Sequence, residues 1–353
     1  MKFIDWFAGI GGFRFGMEQA GHQCIGFCEK DENAIASYTL LHLTTEEEKE
    51  HILSLPYHNR VPELLKNKYK HNEWYAKDIR DVQCNSIPKA DIWCFGAPCI
   101  DFSLCKFNRE GLGGAHSGLV TEIFRLLRGI EKEHRPTWLV YENVEGMLSS
   151  NRGFDFATIL VEMEELGYDI EWQVLNSKDF GVPQNRKRVY TIGCLRERHR
   201  GQILPLQTSS RTRGYMVKNK DETIMIREAT KCGYSLAEQG DSINFAFPNS
   251  TTRRGRIGRQ VANTLDHHSE QYVVEYIGDK HKSHAIEYIN NIQQIRYTII
   301  RKLTPIECLR VQGITLKDAK LIGNIHSDTT IYKQAANSVT TNVVYEIGRR
   351  LYE

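Results

Sequence analysis

A cysteine, two glutamates and a pair of arginines stand at the ends of apolar runs in this chain, where reactive side chains can be presented to a ligand. Cys99 lies in GAPCIDFS, directly after DIWCF; Gly96, Ala97 and Pro98 stop the run and place the thiol on a loop at a strand's carboxyl end. Open α/β sheets bind their ligands in crevices at that edge. TWLVYENVEGM repeats the plan, with Trp138 to Tyr141 leading into Glu142 and Asn143. A thiol and a carboxyl group are thus offered together, the pairing of a nucleophile with a proton donor. Each residue also has an ordinary reading. A free cysteine commonly packs as a small hydrophobe, which suffices for Cys94 and Cys105. Asn143 fits a side chain satisfying backbone near a turn. Arg186 and Arg188, in QNRKRVYTIG, flank a strand start where exposed arginines are routine.

The elements that must position these groups alternate. FIDWF runs into AGIGG and then FRFGMEQAG, which reads as strand, glycine turn and helix. HQCIGFCE supplies a second strand ending at Glu29, and DENAIASYTLL a second helix. Glycines let a backbone approach a ligand, and an acid about 20 residues on can reach a ribose hydroxyl. The alternation continues through YAKDIRDV, DIWCFGAP, a helix from Leu119, TWLVYENV, a helix around Ile159, EWQVLN and RVYTIGC. In the Leu119 helix, Leu119, Ile123, Leu126, Leu127 and Ile130 share a face. Such repetition implies a mostly parallel sheet covered by helices on both sides. Residues 43–73, with EEEKE, read most simply as a solvated excursion.

The chain has 353 residues, 41% of them hydrophobic, enough for more than one domain. Nine cysteines without a CxxC pair indicate neither a disulfide framework nor a zinc ribbon, and no metal site is expected. The composition fits a cytoplasmic protein without signal peptide or membrane span. From Arg196 to Arg259 the chain carries 13 Lys or Arg against 6 Asp or Glu, although its net charge is only +2. After Leu195 the strand–helix rhythm also fails, giving way to a basic, loop-rich stretch. A solvated surface explains such a run; an electrostatic footprint for a polyanion is the alternative.

Taken in order, the motifs resemble those of the bacterial and phage DNA cytosine-5 methyltransferases. DWFAGIGGFRFG is similar to the family's cofactor loop, Glu29 to its ribose-binding acid, and Asp78 with Ile79 to its adenine-contacting pair. GAPCIDFS resembles its nucleophile loop, SGLVTEIFRLL the following helix, YENV its Glu-Asn-Val motif, and QNRKRVYTIG its paired-arginine motif. RKLTPIECLRVQGI is similar to the brace beneath the recognition domain, and QAANSV to the carboxy-terminal segment folding back beside the cofactor loop. RRGRIGRQVANTLDHHSEQYVV resembles the Thr-Leu segment that ends the recognition domain.

The resemblance implies an α/β, Rossmann-like, S-adenosylmethionine-dependent methyltransferase with a smaller, irregular target-recognition domain. Its expected divisions are residues 1–195 and 327–353 for catalysis and 196–326 for recognition. Cys99, Glu142, Asn143, Arg186 and Arg188 are the expected catalytic set. Either arginine is expected to hold the base carbonyl. The cofactor would be held by Asp5, Phe7, Ala8, Gly9, Gly11, Gly12, Glu29, Lys30, Asp78, Ile79, Gly96, Pro98, Asn337, Ser338 and Val339. DNA would meet Ser103, Arg253, Arg254, Arg256, Arg259 and Thr264. The expected partner is double-stranded DNA, bound by a monomer, with any companion restriction endonuclease making no stable complex. Two positions depart from the pattern: Ile100 stands where Gln or Asn is usual, and Ala336 where Gly usually precedes Asn-Ser-Val, which questions a tight turn there. Alternatives are a transfer-RNA cytosine-5 methyltransferase of the same fold, a catalytically silent DNA-binding homologue, and a nicotinamide-dependent dehydrogenase. The last leaves the ordered motifs unexplained.

Overall fold

Buried apolar runs form the centre of the molecule. The computed structural model describes residues 1–71, 73–97, 118–198, 201–206, 224–247, 250, 252–266, 270–276 and 298–351. Strands β1 (Lys2–Trp6), β2 (Gln23–Cys28), β3 (Trp74–Ala76), β4 (Ile92–Phe95), β5 (Trp138–Val144), β6 (Tyr168–Asn176) and, after the two-residue β7 (Gln184–Asn185), β8 (Lys187–Leu195) supply a seven-stranded sheet. Its order is β3-β2-β1-β4-β5-β8-β6. Pairing is parallel from β3 to β5 and antiparallel for β8 with β5 and β6.

Alternate residues of the central strands feed two cores, as a two-sided sheet requires. Ile4, Trp6, Trp93, Phe95, Leu139 and Tyr141 face one side, with α5 (Leu119–Gly129) and α6 (Phe154–Glu165). Phe3, Ile92, Cys94, Trp138 and Val140 face the other, with α1 (Gly12–Gln19) and α10 (Thr341–Gly348). Gly16 lets those two helices touch, because a Cβ there would lie 2.5 Å from that of Val344. Sequence order reverses between β1 and β4, and ligands of open α/β sheets bind at such a switch point. The YAKDIRDV stretch pairs only over Trp74–Ala76 and then turns into a short 3₁₀ segment, Ile79–Asp81, capped by Asp78.

Residues 43–73 are not the solvated excursion their charge suggests. Helix α2 (Glu32–Tyr38) passes into a π-helical turn, Thr39–Leu43, followed by α3 (Glu46–Ser54) and α4 (Tyr57–Leu64). The acids of EEEKE occupy the start of α3, where Thr45 and Glu48 form a capping box, and Ile52, Leu64 and Tyr69 bury an inner face with Ala36, Leu40 and Ile325.

The basic region folds around small antiparallel sheets. β9 (Ile224–Arg227) pairs with β10 (Tyr234–Ala237). β11 (Ser242–Asn244), β12 (Ile257–Gly258), β14 (Gln271–Tyr276) and β15 (Thr298–Lys302) form a four-stranded sheet. β13 (Ala262–Asn263) pairs with β7. Segments just inside the expected limits of this unit, 196 and 326, pack against the rest of the chain. Ile203, Leu204 and Leu206 pack into the core shared with α10, and the Arg350 guanidinium donates to the Ile203 carbonyl at 2.8 Å. Helices α7 (Pro305–Arg310) and α8 (Leu316–Gly323) bury Cys308, Leu309 and Ile322 in a core shared by Ile10, by Ile331 and Ala335 of α9 (Asp328–Asn337), and by Ala262 and Leu265 of the basic region. Among the described residues the small antiparallel sheets lie within 224–302. No helix among them is long and apolar enough to cross a membrane, and no cluster of metal-ligating side chains occurs among them.

Candidate active site at the carboxyl edge of the sheet

The glycine turn leaves β1 through Phe7 and Gly9, both at positive φ, and Gly11 at φ 89°. Glu29, at the end of β2, fixes the turn: its carboxylate accepts the Gly9 amide at 2.8 Å and the Lys30 and Asp31 amides at 2.7 Å. Three bonds use most of a carboxylate's roughly four acceptor positions, leaving about one for an outside donor. Burial raises the Glu29 pKa, partly offset by those amides. Asp78 accepts Arg80 Nε at 2.9 Å and Lys30 Nζ at 3.0 Å, and Arg80 first of all holds it below the usual carboxylate range. Ile79 beside it is buried.

Under the turn lies Asp5, fully buried, its pKa pushed well up by burial and drawn back less strongly by Arg14. Ala8 is buried too, its amide donating to Cys28 O at 3.0 Å. On the outer side the carboxy-terminal segment closes against the turn: a Cβ on Gly12 would lie 2.8 Å from Val339 O and 3.1 Å from Ser338 Oγ. Asn337 ends α9 just before these residues. Ala336 is inside the helix and not in the left-handed region, so no glycine is required there.

A residue that sequence reading missed is His42. The π-helical turn aims its ring at the glycine turn, where Nε2 donates to Ile10 O at 3.1 Å and a Cβ on Gly11 would lie 2.2 Å away. Burial, helped by Arg14, lowers its pKa to about 3, so the ring is a neutral donor. A π-helical insertion leaves no mark in a single sequence, although such turns are frequent at functional sites.

Two strands along, Glu142 and Asn143 lie in the last three residues of β5. Glu142 forms an ion pair with Arg188 at 3.0 Å, both side chains mostly buried. The same carboxylate faces Gly96 at the end of β4, where a Cβ would stand 3.4 Å from Oε2. Asn143 is buried and turned to its own strand: it donates to the Tyr141 hydroxyl and accepts the Val144 amide at 2.7 Å. Its placement is that of a positioning residue.

The paired arginines separate. Arg188 turns to Glu142, whereas Arg186 donates to the Ala336 and Ser338 carbonyls at 3.0 and 2.9 Å and is only 3% exposed. A guanidinium enclosed in this way is not open to a base, so the expectation that either arginine holds the carbonyl is narrowed to Arg188. Arg186 instead clamps the carboxy-terminal segment, beside a chain of hydrogen bonds from Ser177 through Thr340 to Gln312. Pro98, Cys99, Ile100 and Ser103 lie outside the described residues.

The expected DNA-facing residues divide similarly. Arg254 and Arg259 are exposed and Arg253 half-buried; Arg259 pairs with buried Asp241 at 2.6 Å. Thr264 is exposed and donates to Asn185 O at 2.9 Å, tying this unit to the segment before β8. Arg256 departs from expectation: it is 2% exposed, and its guanidinium is spent on the carbonyls of Asn244, Ala246, Phe247 and Ser250. Its partners are backbone, not a surface.

Comparison with known proteins agrees with this layout. The chain is 27% identical over 365 residues to the Type II methyltransferase M.Bsp6I of Bacillus sp. (strain RFL6), covering 100% of this chain and 99% of the relative. It is 25% identical over 387 residues to the Type II methyltransferase M2.ScrFI of Lactococcus lactis subsp. cremoris, again covering 100% and 99%. The crystal structure of the S. pombe Dnmt2 methyltransferase shares the fold, with a TM-score of 0.61 at 14% identity over 100% of this chain and 98% of that one. The model of the C-5 cytosine-specific DNA methylase family matches residues 1–353, and the chain belongs to that family.

Proposed function

We propose that this chain methylates carbon 5 of a cytosine at a defined sequence in double-stranded DNA, with S-adenosylmethionine as donor and Cys99 as nucleophile. The observation that carries the reading is the Glu142–Arg188 pair facing Gly96, three positions before Cys99. An acid and a cation meet at the sheet edge where β4 ends.

Carbon 5 of cytosine is unreactive until a nucleophile adds at carbon 6. The Cys99 thiolate forms that bond, pushing an electron pair toward carbon 5 and ring nitrogen 3. A free thiol near pKa 8.5 is mostly protonated at neutral pH, so a neighbouring cation such as Arg188 aids its ionisation. Glu142 is assigned the proton delivered to nitrogen 3, and Arg188 the charge developing at the base carbonyl. S-Adenosylmethionine, when bound, supplies an electrophilic methyl group. Loss of the carbon 5 proton to a base then returns the electrons that expel Cys99 as thiolate, and nitrogen 3 gives its proton back to Glu142.

The residues present fit the donor. Glu29 has an acceptor position for a ribose hydroxyl, Gly9 and Gly96 leave the backbone open, and Asp78, beside the buried Ile79, offers a polar contact for adenine. Phe7, Ala8, Gly11, Gly12 and Asn337 to Val339 shape the walls, with Asp5 and His42 beneath. The target base must leave the stack, at a cost of a few kcal/mol. Residues 224–302, as the target-recognition domain, offset this through Arg253, Arg254, Arg259 and Thr264. The chain acts as a cytoplasmic monomer, and any companion endonuclease binds the site independently.

Base-resolution methylation mapping of DNA from cells expressing the chain tests this. Wild type should mark one cytosine within a defined sequence and form a covalent adduct with duplex DNA carrying 5-fluorocytosine there. Cys99→Ala should do neither while still binding S-adenosylmethionine. Substantial methylation by that variant would sink the assignment.

A further inference from the structure

Phe247 is the most exposed large apolar side chain among the described residues, at 68%. Single exposed apolar residues are ordinary on protein surfaces, but this one is held outward against resistance. Its φ is 55°, a conformation costly for a bulky side chain and kept only where the surroundings impose it. The surroundings do impose it. Buried Arg256 donates to the Phe247 carbonyl at 2.9 Å and reaches three more carbonyls of the same turn, at Asn244, Ala246 and Ser250. Asn244 Oδ1 accepts the Ala246 amide at 2.9 Å, and the Ser250 amide donates to Phe247 O at 3.1 Å.

The turn also sorts two aromatics. Phe245 goes inward, edge-on to Tyr272 at 5.0 Å, and joins the apolar cluster of the small sheet. Two residues later Phe247 points away from it. Arg253 stands over the Phe247 ring at 5.5 Å, and exposed Arg254 follows. A rigid aromatic face flanked by cations suits a planar base between phosphates, since stacking and cation–π contact reinforce each other there.

We propose that Phe247 is a base-stacking wedge, packing its ring against the face of a base in the bound duplex. The proposal rests on the reading of residues 224–302 as the DNA-recognition domain. Arg256 acts through it as a positioning residue, while Arg253 keeps one ring face oriented.

The test uses the full chain and a duplex bearing the mapped target sequence, with 2-aminopurine placed in turn at positions around the target cytosine. Wild type should raise fluorescence at one step besides the target. Phe247→Ala should lose that signal and bind about 5- to 150-fold more weakly, the fold-range of one aromatic–base stack. Its salt dependence should stay at the wild-type slope, because no phosphate contact is removed. Phe247→Trp should keep both affinity and signal. Unchanged thermal unfolding and S-adenosylmethionine binding exclude a folding defect. Phe247→Ala binding within twofold of wild type with the signal intact overturns the proposal, as does a weaker variant whose salt slope falls while the signal persists. If wild type methylates no duplex DNA, the functional reading fails instead and takes this inference with it.

Discussion

Around the glycine turn, bare backbone lets neighbouring elements pack closely while Glu29 and His42 hold it; in the small-sheet unit, long polar side chains hold the loops. A Cβ on Gly12 would press on Val339 O at 2.8 Å, and one on Gly16 would meet Val344 at 2.5 Å. In the small-sheet unit, buried Asp241 accepts from the Glu238 and Gln260 amides and from Arg259, while Arg256 gathers four carbonyls. A glycine packed this closely admits almost no substitution. A loop tied by a buried charged hub can change its outward residues while the hub stays. The difference suits a constant donor on one side and a variable DNA sequence on the other, and it can be broken experimentally.

The largest effect is expected from the variable side. If residues 224–302 contact about 6 to 10 phosphates, affinity for duplex DNA should fall on the order of 10³- to 10⁵-fold between 50 and 200 mM salt. Exchanging this segment for that of a relative should move the methylated sequence to the relative's. An active hybrid that keeps the original specificity breaks the comparison at its root.

On the constant side, Glu142→Gln should lower turnover roughly 10²- to 10⁴-fold, the contribution of a positioned acid or base. DNA affinity should change much less, because the side chain faces Arg188 and Gly96 and not the small-sheet unit. Single-turnover rates at saturating DNA measure this; near wild-type rates would place the proton donor elsewhere. Gly12→Val comes next. Overpacking typically costs about 1–3 kcal/mol, so S-adenosylmethionine affinity should drop about 5- to 150-fold in titration calorimetry. Unchanged donor affinity would mean that the carboxy-terminal segment yields freely.

Much of this layout was legible in the sequence wherever local pattern and burial coincide. β1 and β4 read as strands because every residue after Lys2, and all of IWCF, is buried. The positions of Glu29 and Glu142 followed from strand ends alone. Residues 43–73 misled because the acids of α3 crowd its capped start, while Ile52, Leu64 and Tyr69, spread over 17 positions, find one another only in three dimensions. A limit such as 326 is hard to read for a related reason: an amphipathic helix such as α8 shows that it has an apolar face, not which domain covers it. The arginines were harder still. Arg186 and Arg188 are two residues apart, as are Arg254 and Arg256, yet one of each pair is enclosed by carbonyls.

That last pair gives the smallest and most discriminating test. Arg254 is exposed and donates Nε to Ala229 O at 2.9 Å, so the rest of its guanidinium can face a phosphate. Removing one phosphate contact should lower the slope of log affinity against log salt by about 0.9. Arg254→Ala should therefore bind DNA a few-fold more weakly near 0.1 M salt, with the loss shrinking as salt rises and thermal stability unchanged. Arg256→Met should do the reverse. It leaves carbonyls of the Phe247 turn without their donor, at about 1–3 kcal/mol for each group left buried and unsatisfied, so thermal unfolding should shift downward while the salt slope at low temperature holds. If instead Arg256→Met lowers the slope by a full unit and leaves unfolding unmoved, Arg256 reaches phosphate in the complex. The buried hub would then be a resting arrangement that DNA opens, and the contrast between a fixed frame and its variable surface would not hold.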